Sequence, residues 1–374
     1  MRMLWKTGRS AVAVVVIVVI VAVAVIYLWP HRSRELQTAD SASMSYGQAM
    51  GAVHAQRVSD EARGVTGECR SRVLTHDGKT EGAVVFFHGI RVCPSQFDDL
   101  ALHFFEAGYN VYLPVAPAHG TADPRAHGEV EAGALVDYVN ESITIATGLG
   151  DEVGVVGLSG GGLLGTWAAH HREEVERLLV LSGFYEPASS EVPKWQLPLL
   201  KTLYGKHLLA DSFSNGADSA DPGFSYRGLA QYLIIGDNLR ADPGSPALRS
   251  VATVIAEDDT RIDQGLAVSV PGTLAEANGL ELFEAAIPGK WKVGHEIVNT
   301  STPGVAEHRQ ELFQLYLDLY AGRPAAGPSA TRGPADAVSA GGRVLQRPLE
   351  AKAWWSNAKT PLKISGVLLR RWVS

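Results

Sequence analysis

The pentapeptide Gly157-Leu158-Ser159-Gly160-Gly161 constrains this chain more than any other feature. It lies between an apolar strand pattern, Val153 to Val156, and a helical pattern, Gly161 to His171. A tight strand-to-helix turn holds such a serine in a strained backbone conformation and lifts its hydroxyl above the sheet, and small neighbours leave room for the turn. The serine then stands at a helix N-terminus, where free N–H groups and the helix dipole favour negative charge. The motif therefore predicts a nucleophile at Ser159, with the Gly160 N–H donating to the oxyanion of a tetrahedral intermediate. The same stretch also spells G-x-G-x-x-G through Gly160, Gly162 and Gly165, with Glu186 near the place of a ribose-binding acid. That dinucleotide reading requires the first strand–helix unit of the fold, whereas at least two such units precede this one.

Alternation of strand and helix patterns sets the fold class. Strands are expected at Ala83–Phe87, Asn110–Pro114, Val153–Val156, Leu178–Leu181, Val251–Ile255 and Leu280–Ala286. Between and after them, helical spacing covers Pro94–Ala107, Val130–Thr147, Gly161–His171 and Val305–Tyr320. Such alternation implies right-handed crossovers and a mostly parallel central sheet with helices on both faces, an α/β architecture. Residues 186–226, rich in Pro, Ser and Asp, break the rhythm and are too long for a plain loop, so they are expected to form a lid. Its Trp195, Leu197, Leu199, Leu200 and Leu203 offer an apolar wall.

An activated serine needs a base for its proton, and the base needs an acid to fix its tautomer. After Ser159 the clearest strand runs into Glu257-Asp258-Asp259. Asp259 is the expected acid, with Asp258 in reserve and Glu257 third. Beyond the acids stand two histidines. His308 falls in a helical pattern, whereas His295 sits in a loop after the last strand and is the expected base. A second oxyanion donor is expected from the loop after the early strand, at the backbone N–H of Ile90, next to Gly89. His88 and His119 read as loop-shaping residues, and His170 and His171 as neighbours on an exposed helix end. No zinc-type spacing occurs, so neither metal nor cofactor is expected. Two sequons, at Asn140 and Asn299, match by chance frequency alone.

The run Ala83-Val-Val-Phe-Phe-His-Gly-Ile, the string Gly108-Tyr-Asn-Val-Tyr-Leu-Pro with Ala118-His119-Gly120 after it, and the Ser159 elbow together resemble the α/β-hydrolase superfamily. They are most similar to its carboxylesterase, monoacylglycerol-lipase-like and serine-aminopeptidase-like members. The resemblance spans about Cys69 to Tyr320. It implies an α/β-hydrolase fold with Ser159, Asp259 and His295 as triad, and Ile90 and Gly160 as oxyanion hole. Two departures stand out: Ala118 replaces the glycine usual before His119, and Gly161 follows Gly160 where bulkier residues often stand. The implied activity is hydrolysis of a small-molecule or lipid-like ester. The alternatives are a serine peptidase on short peptides, with Asp211, Asp218 and Asp221 as an acidic lid patch, and a non-catalytic binding protein on the same scaffold.

The rest of the 374-residue chain frames this domain. Residues 11–28 are an unbroken apolar run, about 27 Å long as a helix and close to a bilayer's hydrocarbon thickness. Residues 1–10 carry Arg2, Lys6 and Arg9, which suits a signal peptide or, since no small-x-small site follows promptly, a retained anchor. The positive-inside rule then favours a cytoplasmic N-terminus and an exported domain. Residues 29–67 read as a stalk, 68–321 as the hydrolase domain and 322–374 as a linker and basic tail. A net charge of −7 argues against a nucleic-acid partner. The two cysteines, Cys69 and Cys93, are expected to form a disulfide that pins the loop bearing Ile90. The sequence is silent on oligomeric state.

Overall fold

The computed structural model describes residues 2–214, 223–240, 243–245 and 247–324, with side chains from Val12 onward. Within them a single sheet is built from β1 (Arg72–Leu74), β2 (Thr80–Phe87), β3 (Asn110–Leu113), β4 (Gly150–Leu158), β5 (Val175–Leu181), β6 (Ser250–Ala256) and β7 (Leu282–Ile287). Their order is β1-β3-β2-β4-β5-β6-β7. All neighbours run parallel except β1, which pairs antiparallel with β3 at the edge. The six parallel strands are the six expected from the sequence. Strand periodicity divides the core into two layers. Val85 and Phe87 of β2 enter one apolar cluster with Val155 and Val180, while Val84 and Phe86 enter the other with Val156 and Leu179.

Helices cover both layers. α3 (Asp98–Glu106) and α10 (Arg309–Tyr320), preceded by the short α9 (Pro303–Glu307), bury Phe104, Phe313 and Tyr316 on one face. α4 (Ala132–Leu149), α5 (Gly160–His171) and α8 (Gln264–Ala277) bury Leu135, Trp167 and Leu274 on the other. Residues between β5 and β6, where a lid is expected at 186–226, carry an irregular helical run at 194–204 containing α6 (Leu197–Leu199), and beyond it α7 (Tyr226–Asp237).

The segment before β1 departs from the sequence reading. α1 (Arg2–Leu28) forms over the apolar run. Among the described residues no helix is long and apolar enough to cross a membrane, and side chains are described in α1 from Val12 on. Residues expected as a stalk lie on the domain instead. α2 (Tyr46–Ala62) starts with a capping box between Ser45 and Gln48 and buries Ala49, Val53 and Asp60. Ala49 packs so closely on α4 that a side chain at Gly148 would meet its Cβ at 2.6 Å. The buried Asp60 carboxylate accepts from Ser71 N–H (2.8 Å) and from Gln56 and Arg63, which fastens α2 to the entry of β1. Residues 31–33 are tied to the lid side by Asn238, whose amide donates to His31 O (2.9 Å) and whose Oδ1 accepts from Ser33 N–H (2.9 Å). The linker and basic tail expected at 322–374 lie, from 325 on, outside the described residues.

Candidate active site

β4 delivers Ser159 and α5 begins at the next residue. Ser159 has φ 55° and ψ −120°, a left-handed-side backbone that costs a non-glycine residue about 1–3 kcal/mol and persists only where surroundings enforce it. They do so here: Ser159 N–H donates to Leu181 O (2.9 Å), and its carbonyl accepts from Phe184 N–H (3.0 Å). The turn also demands glycine by close approach, since a Cβ on Gly161 would lie 1.9 Å from Phe87 O and one on Gly157 2.2 Å from Gly161 O. Gly161, a departure from the family pattern, is thus fixed by the end of β2. The N–H groups of Gly162 and Leu163 donate to Ser159 O (2.9 and 3.3 Å) and close the first turn of α5, while that of Gly160, immediately after the serine, is among the N–H groups a helix start leaves without an intrahelical acceptor. The G-x-G-x-x-G stretch lies inside α5, and Glu186 pairs with Lys194.

The three acids after β6 divide the work of holding the His295 loop. Asp259 is buried; its Oδ2 accepts from His295 Nδ1–H (2.7 Å) and its Oδ1 from Arg261 N–H (2.9 Å). Asp258, the reserve candidate, accepts from Gly294 N–H with both oxygens (3.2 Å each). Glu257 Oε2 accepts from Gly289 N–H (2.9 Å). One acid therefore orients the ring and two cap the loop that carries it. His308 stands between α9 and α10, its ring stacked on Trp291 at 3.6 Å.

Ser159 and His295 line one cavity of about 460 Å³ with Ile90, Phe184, Phe224 and Leu229. Among the described residues no hydrogen bond joins the Ser159 hydroxyl to His295; the two meet as neighbours in the cavity wall. Ile90 and Gly160 face each other, because a Cβ on Gly160 would strike Ile90 Cγ1 at 2.5 Å. The apolar wall does not come from the five lid residues expected to supply it. Leu197 and Leu200 are buried in the core cluster, Trp195 points outward at 61 % exposure, and Phe184 and Phe224 line the cavity instead. The irregular pitch of 194–204 turns its apolar side onto α7. Asp211 is also engaged: Ser225 Oγ and the N–H groups of Ser212 and Arg227 donate to it, while Asp218 and Asp221 lie outside the described residues.

The loop from Gly89 to Cys93 is braced on several sides. The Cys69–Cys93 disulfide forms and fixes its far end. Gly89 N–H donates to Gln96 Oε1 (3.2 Å). His88 Nε2 accepts from Ala116 N–H (3.0 Å), so its proton sits on Nδ1 and is donated to Gly89 O (2.9 Å). Burial pushes His88 down to about 3, which keeps that tautomer neutral. His170 is likewise buried, with its pKa lowered to about 3, rather than on an exposed helix end, because residues 238–240 cover that end of α5. Asn140 is buried too, with its carbonyl and side chain on Arg172, which removes it as a glycan acceptor. The described residues contain no cluster suited to a metal ion.

A model of the alpha/beta hydrolase family matches residues 84–315. A search of curated proteins finds no match. Solved structures that match include a monoacylglycerol lipase of Paleococcus ferrophilus at 18 % identity, covering 66 % of this chain and 98 % of that one with a TM-score of 0.49. Monoglyceride lipase of Saccharomyces cerevisiae matches at 15 % identity, covering 65 % and 90 %, with a TM-score of 0.46. A carboxyl esterase of Bacillus coagulans matches at 15 % identity, covering 67 % and 93 %, with a TM-score of 0.46.

Proposed function

The chain belongs to the alpha/beta hydrolase family, and from that premise we propose that it cleaves carboxylic esters through an acyl-enzyme on Ser159. The observation that carries this reading is the 2.7 Å pairing of His295 with the buried Asp259, in the wall of the cavity that also holds Ser159. Ser159 Oγ attacks the ester carbonyl as His295 Nε2 takes its proton, and the N–H groups of Ile90 and Gly160 receive the oxyanion. Collapse of the tetrahedral intermediate expels the alcohol, which takes the proton from His295. Water, deprotonated by the same ring, then releases the acid. Asp259 holds Nδ1–H throughout, so that Nε2 faces the serine. A cavity of about 460 Å³ with Phe184, Phe224 and Leu229 in its wall suits a modest apolar acyl or alcohol group. A peptidase would want an acid for the substrate's amino terminus; Asp211, the described member of the expected lid patch, accepts from three donors and does not line the cavity.

On the same reading residues 11–28 anchor the chain in a membrane, with the N-terminus cytoplasmic and the catalytic domain outside, where a disulfide is maintained. Extraction of the full chain by alkaline carbonate would count against the anchor. The enzymatic reading is tested by fluorophosphonate labelling and hydrolysis of p-nitrophenyl butyrate. Wild type is expected to label and turn over, and Ser159→Ala and His295→Ala to do neither. A folded wild type that does not label would leave a non-catalytic binding protein.

A further inference from the structure

Three imidazoles line up behind the oxyanion loop, with ring centroids 5.2 Å apart between His88 and His119 and 6.4 Å apart between His119 and His127. Two of them are satisfied as neutral rings. His88 donates to Gly89 O and accepts from Ala116 N–H; His127 donates to Pro124 O (3.0 Å) and accepts from Ser225 N–H (3.0 Å). His119 differs. Both of its ring nitrogens face carbonyl oxygens, Nε2 on Ile90 O at 2.5 Å and Nδ1 on Pro117 O at 2.7 Å. A neutral imidazole has one proton to give, so it cannot serve both acceptors.

The Pro117 contact is local, closed within the turn in which His119 N–H also donates to Ala116 O (3.2 Å). The Ile90 contact spans 29 residues and is the shorter of the two. It also falls beside the group that matters, because Ile90 carries the N–H expected to receive the oxyanion. A peptide unit is planar, so its N–H and C=O directions are coupled. His88 on Gly89 O fixes the unit that contains the Ile90 N–H, and His119 on Ile90 O fixes the next. Residue Ile90 is thereby held at both of its peptide planes, at one by His119 from the loop after β3 and at the other by His88 of its own segment, which is itself anchored on Ala116 N–H of that loop. Among the described residues the Ile90 N–H itself has no partner, which leaves it free for a ligand.

We propose that His119 is a positioning residue for ester cleavage, donating from Nε2 to Ile90 O and so aiming the oxyanion donor of the preceding peptide. The inference rests on the hydrolase reading above. His119 touches neither substrate nor reacting atoms; it acts through the loop. Burial lowers its pKa and the two carbonyls oppose that, so at working pH the ring holds a single proton, and that proton serves Ile90.

The two nitrogens can be separated by substitution. Glutamine places an amide where Nε2 stands and keeps a donor for Ile90 O; asparagine places one where Nδ1 stands and reaches only Pro117 O; phenylalanine keeps bulk and donates nothing. Steady-state hydrolysis of p-nitrophenyl butyrate, fluorophosphonate labelling rates and melting curves are measured for wild type, His119→Gln, His119→Asn and His119→Phe. Losing one oxyanion donor outright costs roughly 10²–10³ in kcat, so misaiming it should cost about tenfold or more. The expected result is kcat and labelling rate down together by that amount in His119→Asn and His119→Phe with KM little changed, and largely restored in His119→Gln. Equal behaviour of the asparagine and glutamine variants, or losses that follow melting temperature alone, would overturn the proposal. An inert wild type would instead remove the hydrolase reading, and this inference with it.

Discussion

At the scale of single residues, the acidic run after β6 makes a sharp distinction between neighbours. Asp259→Asn should lower kcat by roughly 10³–10⁴, because an amide can donate to Nδ1 and stabilise the wrong tautomer. Asp258→Asn should cost less than about tenfold, since an amide oxygen can still accept from Gly294 N–H and only the loop's cap is weakened. Ester hydrolysis by the two purified variants checks the order, and similar losses would undo the assignment of roles. A second residue bears on stability. Ala118, the departure from the family's glycine, has φ 61°. A Cβ in that conformation costs roughly 1–2 kcal/mol, against which glycine's greater freedom in the unfolded chain must be set. Ala118→Gly is therefore expected to stabilise by about 0.5–1 kcal/mol, read as a higher urea midpoint with an unchanged m-value.

At the scale of elements, what the sequence makes legible depends on how each element is buried. Strands β2, β4, β5 and β6 are buried on both faces, so they stand out as continuous apolar runs bounded by polar or glycine-containing turns. The elbow between β4 and α5 is legible because its steric demands leave few residue choices. β1 has three half-buried residues and pairs on one edge, too little for a pattern. α2 is hidden for another reason: its inward stripe is Ala49, Val53 and Asp60, two small apolar residues and a charge, which gives a polar stalk and a docked helix the same signature. The candidate triad was readable from chain order, whereas the loop-capping roles of Glu257 and Asp258 and the cavity wall at Phe184 and Phe224 depend on neighbours distant in sequence. The clip at Asn238 turns this into a prediction. Asn238→Ala leaves His31 O and Ser33 N–H without their partner and should destabilise by about 2–3 kcal/mol. The denaturant midpoint should fall, and trypsin should cut earlier at Arg32 and Arg34; unchanged cleavage would mean the segment is held without it.

At the scale of the whole molecule, the buried histidines couple stability to pH. His88 and His170 are lowered to about 3, and the less buried His127 and His171 to about 4, in each case chiefly by burial. In the unfolded chain all four titrate near 6.5. Between those values the unfolded state binds more protons, so this contribution is complete above about pH 6.5 and is lost as pH falls toward 4 and below. Each fully buried ring contributes on the order of 1.4 kcal/mol per pH unit within the window. Carboxyls act on either side of their ordinary range: Glu174 and Asp263 are depressed and lose their contribution as pH falls below about 4.5, while Glu176 and Glu284 are raised, so the folded state takes up their protons first, above about pH 4.5, and offsets part of the histidine loss. The loss of stability from about pH 6.5 to 5 therefore comes from the histidines, with the two raised carboxyls working in the opposite direction. Urea melts across it should show unfolding accompanied by uptake of more than one proton. His170→Asn offers the internal control, because its amide oxygen can still accept from Arg240 N–H where Nδ1 does now. That variant should keep its stability at pH 7.5 within about 1 kcal/mol and lose stability less steeply on acidification. An acid slope identical to wild type would show that His170 is not held neutral by the fold, and would direct the same test to His88.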